Sequence, residues 1–194
     1  MNNSENVTIT TANPAPLGLL GFGMTTILLN LHNVGCYGLN TAIIAMGIFV
    51  GGLAQVIAGV MEFKKNNTFG ATAFTAYGFF WISLVAIWLL PRFTVFADLK
   101  SNEVSMGWFL LVWGVFSTFM FIGTLKMNRA IQVVFGTLIG LFFLLAIRDF
   151  SGNASFGTVA GYVGILCGSS ALYLSVAQIL NEVYGKTVLP IGAK

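Results

Sequence analysis

Charged side chains are so sparse in this chain that they mark boundaries. No Asp, Glu, Lys or Arg lies between Glu5 and Glu62. That stretch is too long for one membrane helix, which needs about 20 apolar residues. The run Asn33-Val34-Gly35-Cys36-Tyr37-Gly38-Leu39-Asn40 breaks it. The pattern therefore predicts two spans, at 17–34 and 41–61. Glu62 to Asn67 is polar and reads as a loop. Four more apolar runs follow, at 70–90 (stopped by Pro91), 105–125, 130–147 and 156–180. Between them lie a mixed polar loop at 91–104, the tight connection Lys126-Met127-Asn128-Arg129, and a turn at 148–153. The expected fold is all-α, a bundle of six transmembrane helices over residues 13–180. Residues 1–12 and 181–194 form its polar tails.

Composition agrees with this class. Apolar residues make up 57% of the 194 and charged residues 8%, with a mean hydropathy of +0.88. A soluble domain carries about 25% charged residues. The nine Lys and Arg are scattered and not interleaved with aromatics, which argues against nucleic acid as a partner. Cys36 and Cys167 show neither CxxC nor metal-ligand spacing and read as buried thiols, not a disulfide. The first thirteen residues lack Lys and Arg, hence the basic start of a signal peptide, so the first span is expected to be retained. Six spans put both termini on one side. That side collects Lys64, Lys65, Lys126, Arg129, Lys186 and Lys194, against Arg92, Lys100 and Arg148 on the other. The positive-inside rule then makes both termini cytoplasmic.

Small residues are spaced for helix contact. Gly47/Gly51, Gly136/Gly140, Gly157/Gly161 and Gly164/Gly168 are GxxxG pairs, which let backbones approach closely in lipid. A short echo, Phe22-Gly23, Phe69-Gly70 and Phe135-Gly136, recurs in or just before the odd-numbered spans. Three helix hairpins in parallel repeat would place these segments around one central pore.

Catalytic chemistry has no visible seat. His32 is the single histidine, no HExxH or paired intramembrane acids occur, and no nucleophile lies at helical spacing from a base. Neither an enzyme nor a metal or cofactor site is expected. Neutral polar stripes stand out instead. Phe22, Thr26, Asn30 and Asn33 share one helix face; so do Gly52, Gln55, Gly59 and Glu62, then Gln132, Gly136 and Gly140, and Ala171, Ser175, Gln178 and Glu182. Polar groups in hydrocarbon must face other helices or a wet path. A path without fixed acids does not suit a cation pore. It suits a weakly held anion or a small neutral solute of the urea or amide type. A structural or signalling membrane protein is the third class. His32 sits near the end of its span and reads as a boundary histidine.

The first span opens on Asn13-Pro14-Ala15-Pro16-Leu17-Gly18-Leu19. Prolines are tolerated in a first helical turn, and Asn13 is placed to cap it. This stretch resembles the signature of the acetate uptake transporter family. Further likeness lies in Gly21 to Thr26, Leu28 to Asn33, Asn67 to Gly78, and the tail from Asn181-Glu182 to Gly192. The resemblance implies a homohexamer in the bacterial plasma membrane with one pore per protomer, similar in architecture to hexameric urea channels. It implies transport of acetate, and of succinate and other small carboxylates, as an anion channel or a proton-coupled permease. Matched by motif, the family's narrow ring falls on Phe22, Tyr77 and Leu138, and a position tied to substrate choice falls on Ala171. The expected substrate path adds Asn13, Thr25, Thr26, Asn30, Asn33, Gln55, Thr75, Gln132 and Gln178. In this picture the apolar ring strips water from the anion, and the Tyr77 hydroxyl and nearby threonines offset part of that cost.

Overall fold

The computed structural model describes residues 11–192, so most of the expected tail at 1–12 and the last two residues lie outside it. Its described residues hold six helices long and apolar enough to cross a membrane. They are α1 (Ala15–Asn33), α2 (Thr41–Lys64), α3 (Thr68–Leu89), α4 (Glu103–Thr124), α5 (Arg129–Ser151) and α6 (Ala154–Tyr184). Two tight 3₁₀ turns, Leu90–Arg92 and Thr94–Leu99, occupy part of the loop between α3 and α4.

Asparagine sets the helix starts. Asn40, Asn67, Asn102, Asn128 and Asn153 cap α2 to α6, each accepting from an amide two or three residues on. The side-chain oxygen satisfies a donor that the first turn leaves unpaired. Helices α3 to α6 thus begin one or two residues before the apolar runs that mark them. At α1 the expectation is corrected: Pro14, not Asn13, holds the cap position, with φ −81° and ψ −16°. Asn13 still covers one amide, its Oδ1 accepting from Ala15 N at 3.3 Å. Helix α6 also outlasts its apolar run. It continues through Asn181 and Glu182 until Gly185, whose φ of +60° ends the helix in the left-handed region.

The helices form a ring in which α6 closes on α1. Close packing there depends on glycine. A Cβ on Gly23 would lie 2.7 Å from Gly168 O, and a Cβ on Gly168 2.7 Å from Gly23 O. Side chains cannot occupy that seam, so the two backbones touch directly. On α2, Gly52 and Gly59 similarly admit α3. Helices α3 and α4 meet mainly through side chains, including a Phe80–Trp113 ring contact at 5.1 Å. Outward faces of α2 and α4 expose Phe49, Ile57, Phe63, Trp108, Val112 and Phe119. These suit lipid or another apolar protein surface.

One segment departs from regular α geometry. Met46–Ala54 in α2 is π-helical. Thr25 Oγ1 donates to Met46 O at 3.3 Å, and Gln55 Nε2 donates to Gly51 O at 2.6 Å. Both side chains thus supply donors to carbonyls of the widened turn. The expected C-terminal tail is also anchored. Asn181 Oδ1 accepts from Val188 N and Leu189 N, while Ile191 O and Gly192 O accept from Ala130 N and Arg129 N at the start of α5.

Candidate functional site

The starts of α1, α3 and α5 supply Ala15, Asn67 and Asn128 to one cavity, and the end of α6 supplies Gln178. This terminal cavity measures about 90 Å³. A second, far cavity of about 180 Å³ lies among the other halves of α1, α3 and α5, with part of α4. Phe22 and Leu138 line both, and they are the two residues the cavities share. Both are buried, as is Tyr77. The Tyr77 ring stands in the terminal cavity wall, 6.2 Å from that of Phe22. The three residues expected to form a ring are therefore gathered at the boundary between two hollows.

Depth explains the gathering. Phe22, Tyr77 and Leu138 each lie about two helical turns from the start of α1, α3 or α5, the starts being on one face. The phenylalanine echo resolves the same way: Phe22, Phe69 and Phe135 all line the terminal cavity, and the rings of Phe69 and Phe135 are 5.5 Å apart.

The Tyr77 hydroxyl has another partner than expected. It lies 2.8 Å from Ser117 Oγ on α4, and Ser117 Oγ donates its own proton to Trp113 O at 2.7 Å. Tyr77 is then the donor in the pair. Its proton is committed to α4.

The polar stripe on α1 splits. Thr26, Asn30 and Asn33 line the far cavity. Asn33 Nδ2 donates to Asn30 Oδ1 at 3.0 Å, and Asn30 Nδ2 to Thr26 O at 2.9 Å, so the amides are pre-oriented. Asn30 lies flat on Gly164 of α6, where any Cβ would displace it. Thr25 faces α2 instead, lining neither cavity.

Gln55 and Gln178 line the terminal cavity. Asn13 Nδ2 donates to Gln178 Oε1 at 3.1 Å, and Lys65 Nζ donates to Asn13 Oδ1 at 3.2 Å, which places Asn13 behind the mouth. The remaining expected path residues lie elsewhere. Thr75 is pressed against Gly59 of α2, Gln132 donates to Thr124 O and Met127 O in the α4–α5 turn, and Ala171 is fully buried outside both cavities.

The signature stretch also gains physical content. Pro16 O accepts from Ser175 Oγ of α6 at 2.6 Å, and Gly18 receives the Phe74 ring, leaving no room for a Cβ. Ala15 lines the terminal cavity, whereas Leu17 faces outward. Cys167 is buried as expected, but Cys36 is exposed in the α1–α2 loop.

One feature escaped the pattern of spans. Arg148 lines the far cavity and also a third, about 650 Å³ hollow beyond it, so the path is not free of fixed charge. Arg148 Nε donates to Asp149 Oδ1 at 2.7 Å, and Nη2 pairs with the same oxygen at 2.6 Å. His32, at the same end, lies with Nδ1 2.8 Å from Tyr37 O, which makes Nδ1 the protonated nitrogen.

A family model described as the GPR1/FUN34/yaaH family matches residues 2–191. The chain belongs to this family. One family member is the succinate-acetate/proton symporter SatP of Escherichia coli K12. It is 58% identical over 181 residues, spanning 93% of this chain and 95% of that protein. A more distant one is acetate permease A of Emericella nidulans, 33% identical over 93% of this chain and 66% of its own length. Among solved structures, that of a bacterial acetate channel SatP superposes with a TM-score of 0.92. The match has 57% identity and covers 94% of this chain and all of that one.

Proposed function

We propose that this chain carries acetate, and with it succinate and other small carboxylates, across a bacterial plasma membrane through a path in each protomer. The observation that carries the reading is the pair Phe22 and Leu138, shared by two cavities at mid-depth. The transport named for its relatives agrees with that geometry. We assign transport to the unit of residues 13–180, with Phe22, Tyr77 and Leu138 as the constriction. Its path runs through Gln55 and Gln178 on one side and Thr26, Asn30 and Asn33 on the other. The positive-inside count supports cytoplasmic termini, with the terminal cavity opening on that side. The apolar outward faces of α2 and α4 suit a homohexamer.

The chemistry follows from the wall. Desolvating a carboxylate costs several kcal/mol. A narrow apolar collar imposes that cost over one short step, flanked on both sides by amides and hydroxyls that replace water. Acetate crosses with one charge and a compact methyl group. Succinate at neutral pH must desolvate two carboxylates on a longer body. No step requires a cofactor.

Acetate current across a planar bilayer at fixed pH tests the reading. Discrete conductance that follows the acetate gradient makes the path a channel. Electrically silent, saturable uptake with stoichiometric proton entry makes it a symporter. The test holds pH fixed because acetic acid titrates near a Glu side chain, with a pKa of about 4, and its neutral form mimics coupling. Urea flux without acetate flux would overturn the proposal in favour of a neutral-solute channel.

Tyr77→Phe separates wall from ligand. Loss of the bond to Ser117 is expected to lower stability by about 1 kcal/mol, read as thermal unfolding in detergent. Acetate flux should stay within about twofold, because the hydroxyl proton points to α4. A collapse of flux in folded Tyr77→Phe protein would give the hydroxyl a direct part in conduction.

A further inference from the structure

The π-helical segment of α2, Met46–Ala54, runs for nine residues. In a π turn each carbonyl accepts from the amide five residues on, and such turns are rare and mostly single. Neither a proline nor a charged residue lies within the segment to force it. Packing from outside holds it instead. Thr25 Oγ1 of α1 donates to Met46 O at 3.3 Å, where the first π turn opens. Gly51, five residues on, admits that threonine: a Cβ there would lie 2.9 Å from Thr25 Oγ1.

The widened turn lies directly behind the collar. On α1, a Cβ on Gly21 would fall on Val50 O. On α3, a Cβ on Gly78 would come within 2.8 Å of Gly52 O. Gly21 precedes Phe22 and Gly78 follows Tyr77. Two carbonyls of the turn therefore bear on the backbone beside two collar residues, with no side chain at either glycine to absorb a shift. The segment also ends on Gln55, whose Nε2 donates back to Gly51 O at 2.6 Å while its side chain lines the terminal cavity. One stretch of α2 thus touches the supports of Phe22 and Tyr77 and carries a polar residue of the mouth.

We propose that this π turn sets the aperture of the collar, and that Thr25 is the positioning residue that holds the turn against it. Thr25 lines neither cavity, so it acts through α2 and not on the permeating anion. With the hydroxyl bonded to Met46 O, the turn stays wide and presses on Gly21 and Gly78 from behind. Without that donor the turn relaxes toward α geometry, its carbonyls withdraw from both glycines, and Phe22 and Tyr77 follow. The collar then widens. This inference rests on the acetate-transport reading and adds what governs its selectivity.

The test uses the whole protein in proteoliposomes, with labelled acetate and succinate as probes. Thr25→Val keeps the shape and removes the hydroxyl. It is expected to raise the succinate-to-acetate flux ratio about threefold to fivefold, the size of one lost hydrogen bond. Thr25→Ser keeps the donor and should stay within about twofold of wild type. Thr25→Ala, compared with Thr25→Ser, deletes the hydroxyl a second time and should reproduce the rise, so either pair that folds reads the effect. Hydrogen exchange reads the turn itself: amides of 46–55 should exchange faster in Thr25→Val and Thr25→Ala, while α5 and α6 keep their protection. A merely structural hydroxyl would lower the unfolding temperature of both variants and leave the flux ratio unchanged. That result overturns the inference, as does a raised ratio with unchanged exchange at 46–55. Wild-type protein without acetate flux overturns the transport reading itself, whereas wild-type flux with an unmoved ratio in the variants overturns the role of the turn alone.

Discussion

Phe22→Ala is expected to join the two cavities and raise the succinate-to-acetate flux ratio at least tenfold. Phe22 and Leu138 are the shared wall, and Phe22 is the larger side chain of the two. Removing its ring opens a continuous path in which a dicarboxylate keeps part of its water. A tenfold shift corresponds to about 1.4 kcal/mol of relative barrier, a modest share of the several kcal/mol that carboxylate desolvation costs. Deleting a buried phenyl group costs about 3–5 kcal/mol of stability in a tight core. Here the ring already borders open space on two sides, so the lower end applies. Labelled acetate and succinate uptake into proteoliposomes measures the ratio. A ratio equal to wild type in folded Phe22→Ala protein would remove the collar from the account of selectivity.

Gly168→Val is expected to abolish the folded bundle. Its first added carbon would meet Gly23 O at 2.7 Å, with Ile27 N at 2.9 Å. Backbone atoms within a helix have nowhere to go, so α1 and α6 must separate along their whole seam. Overpacking costs about 1–3 kcal/mol where side chains can give, and more is expected here because backbone is struck. Gly140→Val makes the control. Its added carbon meets only Val163 Cγ1 at 3.5 Å, an ordinary contact. Size-exclusion profiles and unfolding temperatures in mild detergent compare the two. Equal behaviour would mean that the seam is not the close contact described.

Much of the architecture was legible because membrane helices declare themselves by length and by the rarity of charge. The helix ends were less so. Apolar runs locate the hydrocarbon, whereas Asn67, Asn102, Asn128 and Asn153 locate the first hydrogen-bonded turn, one or two residues earlier. At the site, Phe22, Tyr77 and Leu138 came from resemblance to a family, and the structure gathers them at one depth. Thr25, Thr75 and Gln132 show the limit of reading polar positions, and Ala171 that of a motif match. A polar face in lipid must find partners, but its spacing does not say whether the partner is water or a neighbouring helix. Thr25 and Thr26 are adjacent in sequence, yet one turns to α2 and the other to the cavity. Arg148 was hidden for a different reason. It reads as a turn residue after the apolar run, while α5 in fact continues to Ser151 and carries it inward.

The tether between segment 189–192 and α5 bears on how the protein is made. Arg129 N and Ala130 N, two opening amides of α5, find their acceptors in Gly192 O and Ile191 O. Those acceptors are translated some sixty residues later, after α6. The opening turn of α5 therefore stays incomplete through insertion of the whole bundle and closes only when this strap reaches it. This late contact closes at the rim of the terminal cavity, where Asn128 and Ile131 form part of the wall.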